Sequence, residues 1–516
     1  MSPYLLGYSM LVCVLSVSHV AHSLTSSEYL QLREEILLKE KQRMLGGQIT
    51  LTPDEQLVNQ ILMKEKTQQI EDSRYKNVPF LAAQNFLDVK ERIENTEVYN
   101  IIHRMPKGGA LHIHDISSVG AEWLITNVTY RDDIYMCVTE AGDIRYQAFL
   151  DPPSQLDCQW KSVQAERWSS PDVTQFDEKL INNIVPKLNN FCSDKTDELP
   201  IGSIARYLAQ ALPLITYLPV FMDYYRKTLE DLRSDNVQYL ELRSSISQVY
   251  DIDGKIYDKE QIVIILKRLT EEFVNRYDGF IGAKIIITGD RTASKEQMLA
   301  DVKSALDLHQ RYPDFVAGFD LAASSGNYNP VVYYMDALLY PTNLDPPATL
   351  PYFLHAGETK WFGVELDQDI LDVLLLNTTR VGHGFTLSKH PEYVDIIRDS
   401  NIAVEVNPIS NQILCLVSDL RSHPMVGLMA DNLPVVISSD DPGIFRTDPL
   451  SHDFYMAFMA MAPKSGDLAF LKQLAINSIQ YSAMSAREKE AAFVQWTSSW
   501  DIFIQSVVKE ISQAPQ

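Results

Sequence analysis

From residue 106 onward, short apolar runs rich in β-branched residues alternate with helical stretches, and most of the runs end in polar residues. The runs occupy 110–114, 237–243, 283–288, 316–321, 352–355, 380–383, 402–407 and 435–440. Stretches such as 259–277, 293–311 and 365–377 carry helical apolar spacing between them. Parallel strands are covered on both faces, so they read as near-continuous apolar runs, and each needs a crossover helix to return the chain. Eight such alternations predict an α/β fold, a TIM-type (β/α)8 barrel with insertions. A doubly wound open sheet is the alternative. The polar strand ends favour the barrel, whose sites gather at the C-terminal face of the strands.

The barrel, 106–516, is preceded by a segment, 24–105, that reads as helical. Thr52-Pro53-Asp54-Glu55 is a capping box with proline at the first helical position, and Leu57, Val58, Ile61 and Leu62 continue it as an apolar stripe. An earlier amphipathic helix over 27–44 stops at Gly46-Gly47. The segment reads as a lid on the barrel or as a dimerisation arm. Residues 128–199 hold Pro152-Pro153, Cys137, Cys158, Trp160 and Trp168 with few periodic runs. They read as an insertion, a loop-rich packing unit or a receptor-binding one.

Residues 1–23 are of a different composition. No charged side chain precedes Glu28, residues 5–20 are mostly apolar, and Ala21-His22-Ser23 sets small residues at −3 and −1 of a cleavage site. This predicts a secretory signal peptide and a secreted, extracellular protein. The run is short for a membrane span, and no later stretch is long and apolar enough for one. In an oxidising compartment Cys137 and Cys158 form either a local bridge or two free thiols. The sequons at Asn127 and Asn377 would carry glycans. With 45 basic against 68 acidic residues the net charge is −23, which disfavours nucleic acid and anionic membrane surfaces as partners.

Histidine is scarce, 11 in the chain, yet it recurs at the predicted strand ends. His112 and His114 share one face of a strand. His355-Ala356-Gly357-Glu358, Gly382-His383-Gly384 and Ser438-Ser439-Asp440-Asp441-Pro442 close three others. Such a set on the strand ends of one barrel points to metal-assisted hydrolysis. Three imidazoles and a carboxylate suit Zn²⁺, so His112, His114, His355 and Asp440 are the expected ligands of one ion per chain. Zinc lowers the pKa of a bound water to about 7. Glu358 is left for proton transfer, and His383 and Asp441 for orienting the nucleophile.

These motifs, with 105–115 (MPKGGALHIHD), His355-Ala356-Gly357-Glu358-Thr359, 380–385 (RVGHGF) and Pro408-Ile409-Ser410-Asn411-Gln412, resemble the adenosine deaminase superfamily. More narrowly they resemble its secreted branch, the adenosine deaminase-related growth factors. The resemblance implies a zinc barrel enzyme that converts adenosine or 2′-deoxyadenosine to inosine, with helical N-terminal segments forming a homodimer. It implies an insertion that meets a cell-surface receptor or glycan, and a growth-factor role. Position by position, Glu358 would protonate purine N1, His383 would position the hydroxide, Asp441 would bond N7 and the hydroxide, and Asp115 would contact the ribose. One wall departs. Where the family usually has a glycine whose N–H meets purine N3, this chain has Ala322-Ala323-Ser324-Ser325-Gly326-Asn327, which puts Ala323 against the purine. Two rivals remain: a growth-factor or binding protein with little turnover, and a deaminase of another purine nucleoside.

Overall fold

The eight runs become eight strands: β1 (Gly108–His114), β2 (Val237–Ser244), β3 (Gly282–Asp290), β4 (Val316–Ala322), β5 (His355–Ala356), β6 (Arg380–His383), β7 (Ala403–Val406) and β8 (Val435–Ile437). The computed structural model describes residues 24–140, 142–151, 158–185, 201–323 and 328–513. The expected leader at 1–23, the end of the insertion at 186–199 and residues 324–327 lie outside the described residues. Strands β1 to β4 pair in order, as do β5 to β8, all parallel. Two seams close the circle. Phe319 bridges Tyr352 between β4 and β5, and Ile113 bridges Asp440 between β1 and the end of β8. At the second seam His114 N–H donates to Asp440 O, and Asp440 N–H to His112 O, each at 3.0 Å. The architecture is the expected barrel, not the open sheet.

The outward strand faces join one apolar cluster with the surrounding helices, including Leu240 and Leu242 of β2. The inward faces differ. Arg243 pairs in register with Ile286, so the two share a face, and Ile286 belongs to a small separate cluster with Ala317 and Phe353. Most of the remaining lumen is taken by fully buried Glu241, Arg243, Asp320, Arg380 and Glu405. A barrel of this kind is ordinarily filled by branched apolar side chains. This one carries ions.

Ahead of the barrel run α1 (Ser26–Arg43), α2 (Pro53–Lys76), α3 (Phe86–Glu94) and α4 (Glu97–Arg104). The expected capping box opens α2: Glu55 N–H donates to Thr52 Oγ1 and Thr52 N–H to Glu55 Oε2. Helix α2 docks on the barrel's C-terminal helix Ala486–Gln513, where Trp500 Nε1 donates to Glu55 Oε1 at 2.7 Å. Helix α1 buries no residue, and Tyr29, Leu30, Leu32, Ile36, Leu37 and Leu38 all face solvent.

The insertion is more regular than a loop-rich unit. Strands Ile144–Ala148, Ile134–Val138 and Lys161–Ser162 form an antiparallel sheet, flanked by helices Val163–Ser169 and Val173–Ile184. Its strands, of two and five residues, are too short to imprint a long period on the sequence. They are pinned instead by the Cys137–Cys158 disulfide, and by buried Arg167, which bonds Asp177 Oδ1 and Thr129 O. The two cysteines are therefore a bridge rather than free thiols. Asn127 and Asn377 are both exposed.

Candidate metal and catalytic centre

At the C-terminal mouth of the barrel, β1 presents His112 and His114, β5 presents His355, β6 ends in His383, and Asp440 follows β8. His112 Nδ1 lies 2.6 Å from Glu405 Oε2, and His355 Nδ1 lies 2.8 Å from Asp320 Oδ2. Burial works against ionising both carboxylates. For Asp320 the charge of Arg243 and the His355 hydrogen bond prevail, and for Glu405 the charges of Arg243 and Arg380, so each stays below the usual carboxylate range. An ionised carboxylate only accepts, so each imidazole carries its proton on Nδ1. The two Nε2 lone pairs then face each other across 3.0 Å. Asp440 Oδ1 adds an acceptor 3.3 Å from His112 Nε2 and 3.2 Å from His114 Nε2. Bare acceptors repel unless a cation sits among them, so this donor set fits a metal ion.

Two overlapping ligand sets share this centre. The sequence points to His112, His114, His355 and Asp440. In the structure it is ligand atoms of His112, His355, His383 and Asp440 that lie within 4.8 Å of one another, with His383 Nε2 3.8 Å from Asp440 Oδ2, while His114 stands outside that group and meets Asp440 Oδ1 at 3.2 Å.

The carboxylates behind the histidines are themselves held. Arg243 spans both, Nε to Asp320 at 2.8 Å and Nη2 to Glu405 at 2.5 Å. Arg380 Nε takes the other Glu405 oxygen, and its Nη2 reaches Glu241, each at 2.6 Å. The ladder runs down the lumen from the mouth. Ser410 Oγ holds Asp440 Oδ2 at 2.7 Å. None of these supports was given a role from sequence, although Arg380 and Ser410 stand in the motifs quoted there. Their signal was there, as charges at alternate positions inside apolar runs: Glu241 and Arg243, Asp320, Glu405.

The backbone is strained where the chemistry sits. His383 and Asp440 hold φ of +58° and +63°. Each such residue costs about 1–3 kcal/mol and persists only where its surroundings impose it. Gly357, at φ +67°, turns the chain between His355 and Glu358, and a Cβ there would meet Ile370 Cδ1 at 2.6 Å.

A cavity of about 1030 Å³ opens over the site, lined among others by His114, His355, Glu358, His383, Asp440, Asp441 and Ala323. Burial, with Asp440 and Asp441 close by, raises the Glu358 carboxyl well above its usual range, and its Oε1 is buried without a hydrogen-bond partner. Burial and Asp440 push Asp441 up to about 6. Asp115 stands apart. It accepts from Ser244 Oγ, Ser245 N–H, Ser245 Oγ and Ile246 N–H, and it does not line the cavity. Its partners Ser245 and Ile246, and its chain neighbours His114 and Ile116, do.

The family model "Adenosine deaminase" matches residues 178–495, and "Adenosine/AMP deaminase N-terminal" matches 8–102. The chain is 39% identical to an adenosine deaminase of Aedes albopictus over 483 residues, 92% of this chain and 88% of that one. It is 39% identical to human adenosine deaminase 2 over 479 residues, 92% of this chain and 93% of that one. Among solved structures, an Arabidopsis N6-mAMP deaminase superposes with TM-score 0.55 at 19% identity, over 77% of this chain and 99% of the other. A Burkhoderia ambifaria amidohydrolase with bound Zn gives 0.52 at 19%, over 80% and 95%. At that identity the structural likeness speaks for the fold alone.

Proposed function

This chain belongs to the adenosine deaminase family, and from that premise we propose that it hydrolyses adenosine, and 2′-deoxyadenosine, to the inosine nucleoside and ammonia. The observation that carries this reading is the pair of imidazole Nε2 atoms 3.0 Å apart, each ring backed by a carboxylate, beside Glu358, whose Oε1 is buried without a hydrogen bond. His112, His114, His355 and Asp440 would hold one ion, and the nitrogen-rich set suits zinc. When bound, the ion would lower the pKa of a water and make it nucleophilic at neutral pH.

The chain's own groups do the rest. Glu358, proton-bearing because it is buried beside two carboxylates, donates to purine N1 and makes C6 electrophilic. His383 and Asp441 orient the attacking oxygen on C6. The C6–O bond forms and the C6–N6 bond breaks; one proton of the water goes to N6, which leaves as ammonia, and the other replaces the proton that Glu358 gave to N1.

The cavity favours a nucleoside over a 5′-nucleotide. Asp258, Asp290 and Asp301 line it, and its one lysine among the described residues, Lys259, is paired with Asp301 at 2.8 Å. A phosphate would meet acids there rather than a cationic clamp. The apolar side of α1 fits a homodimer contact, residues 1–23 a secretory leader, and Asn127 and Asn377 glycan attachment. A receptor or glycan contact and growth-factor signalling would fall to the insertion. Metal analysis of the purified protein and a nucleoside panel read by adenosine absorbance and ammonia release test the reading. One zinc per chain with adenosine turnover supports it; native protein without turnover, or with a faster purine nucleoside, selects one of the rivals.

A further inference from the structure

The short helix Pro408–Ile413 after β7 puts three consecutive polar side chains to three uses. Ser410 holds Asp440. Gln412 ties the site to the N-terminal segment, accepting from Phe86 N–H at 2.8 Å and donating to Gln84 O at 3.0 Å. Between them, Asn411 lies between two histidines. We propose that His423 and Asn411 form a relay that fixes the tautomer of His383, making it a hydrogen-bond donor to the reacting oxygen and removing it from the metal's ligand set. The proposal deepens the deaminase reading, and its kinetic arm rests on that reading.

The direction of the relay follows from its far end. Met425 N–H is a backbone group and can only donate; its acceptor is His423 Nδ1 at 3.1 Å. His423 is buried and neutral, so its single proton is on Nε2, which lies 2.9 Å from Asn411 Oδ1. With its oxygen committed to His423, Asn411 presents its amide N–H to His383 Nδ1 at 3.4 Å. Asn407 Nδ2 approaches the same nitrogen at 3.5 Å. Glu358 Oε1 is 3.5 Å away but makes no hydrogen bond, which leaves that nitrogen to the two amides. A nitrogen facing donors is an acceptor, so the His383 proton is on Nε2, the nitrogen turned toward Asp440 Oδ2. A protonated ring nitrogen has no lone pair for a metal. Of the two overlapping ligand sets, the one with His114 remains. His383 Nε2–H is left to hold the attacking oxygen.

Histidine-selective ¹⁵N labelling of the zinc-loaded protein tests the tautomer directly, with the His383 signal identified by its loss in His383→Asn. The expected result is a bare Nδ1 and a protonated Nε2; a protonated Nδ1 overturns the relay. In the kinetic arm, His423→Leu frees Asn411 to turn. Its kcat for adenosine is expected to fall about 10²-fold, within the range for losing a correctly oriented proton-transfer group, with KM and zinc content within about threefold. His423→Gln restores an N–H toward Asn411 and should recover most of that loss. Should His423→Leu not fold, Asn411→Asp asks the same question, since a carboxylate accepts from both sides and draws the proton to His383 Nδ1. Unchanged kcat in these variants, or zinc lost in step with activity, overturns the proposal. Wild-type holoenzyme that does not deaminate adenosine would sink the deaminase reading, and the ¹⁵N signal would still decide the relay.

Discussion

Each barrel strand has two faces, and β2 shows how differently they are built. Leu240 and Leu242 turn outward into the apolar cluster shared with the helices, while Glu241 and Arg243 turn into the lumen, bonding Arg380, Asp320 and Glu405. Burying a leucine side chain contributes about 1.5–3 kcal/mol. A buried ion pair contributes little net stability, because desolvation offsets its attraction, yet removing one partner costs about 3–5 kcal/mol. The outer face therefore supplies stability and the inner face supplies orientation. If so, the two faces should fail differently: inner changes in metal and turnover as well as melting, outer changes in melting alone.

The largest expected effect is at the mouth. His355→Ala removes a bare lone pair from the centre and leaves Asp320 without its imidazole partner. Zinc content should fall and turnover should drop to the assay background. Full turnover without zinc would break the assignment of the inner face to metal chemistry.

Glu358→Gln comes next. Glutamine keeps the shape but cannot donate a carboxyl proton, so kcat should fall by about 10²–10⁴-fold with zinc and melting temperature retained. A loss under about tenfold would show that another group supplies the proton, and Asp441, held up to about 6, is the first to examine.

The sequence shows these two faces unequally. All eight strands were legible because each is a short run rich in β-branched residues set between helical stretches and closed by polar residues, and the histidines stood out because they are scarce and fall at strand ends. The support network was not legible. Arg243 and Glu405 lie 162 residues apart in sequence, and Asp320 serves His355 only because the barrel closes and brings β4 beside β5. Neither spacing nor composition carries that closure. The insertion was hidden for another reason: a two-residue strand such as Lys161–Ser162 has no period to read, and its order comes from a disulfide and from the buried Arg167. The resemblance implies that Asp115 contacts the ribose; in the structure its carboxylate accepts four hydrogen bonds, from Ser244, Ser245 and Ile246, which no spacing in the sequence signals.

Paired variants on two strands sharpen the contrast further. Glu405→Gln keeps the volume but weakens the acceptor for His112, Arg243 and Arg380, and second partners of this kind typically change metal affinity by about 10–100-fold. Leu240→Ala, on the outer face, should cost about 2–5 kcal/mol of stability and leave zinc affinity and kcat of the folded protein unchanged. Both variants should melt earlier, so chelator competition and kcat of the folded protein, measured on the same preparations, separate the two. Were Leu240→Ala to weaken zinc binding as much as Glu405→Gln does, the division between the faces would not hold.

The smallest effect is expected at Ala323, on the cavity wall above the lumen. The family resemblance places a glycine here, whose backbone N–H meets purine N3. A Cβ keeps that backbone at a greater distance from the ring. The attack on C6 needs the metal ligands, Glu358, His383 and Asp441, none of which Ala323 supports, so the chemical step should be indifferent to it. What changes is ground-state hold on the purine. One lost or strained hydrogen bond is worth about 0.5–1.5 kcal/mol, roughly three- to tenfold in affinity. Ala323→Gly should therefore lower KM for adenosine by about that factor with kcat nearly constant, the signature of a contact made equally in ground and transition states. Unchanged KM, together with faster turnover of another purine nucleoside, would mean that the wall is shaped for that nucleoside and that the outer rim, not the metal centre, sets the substrate.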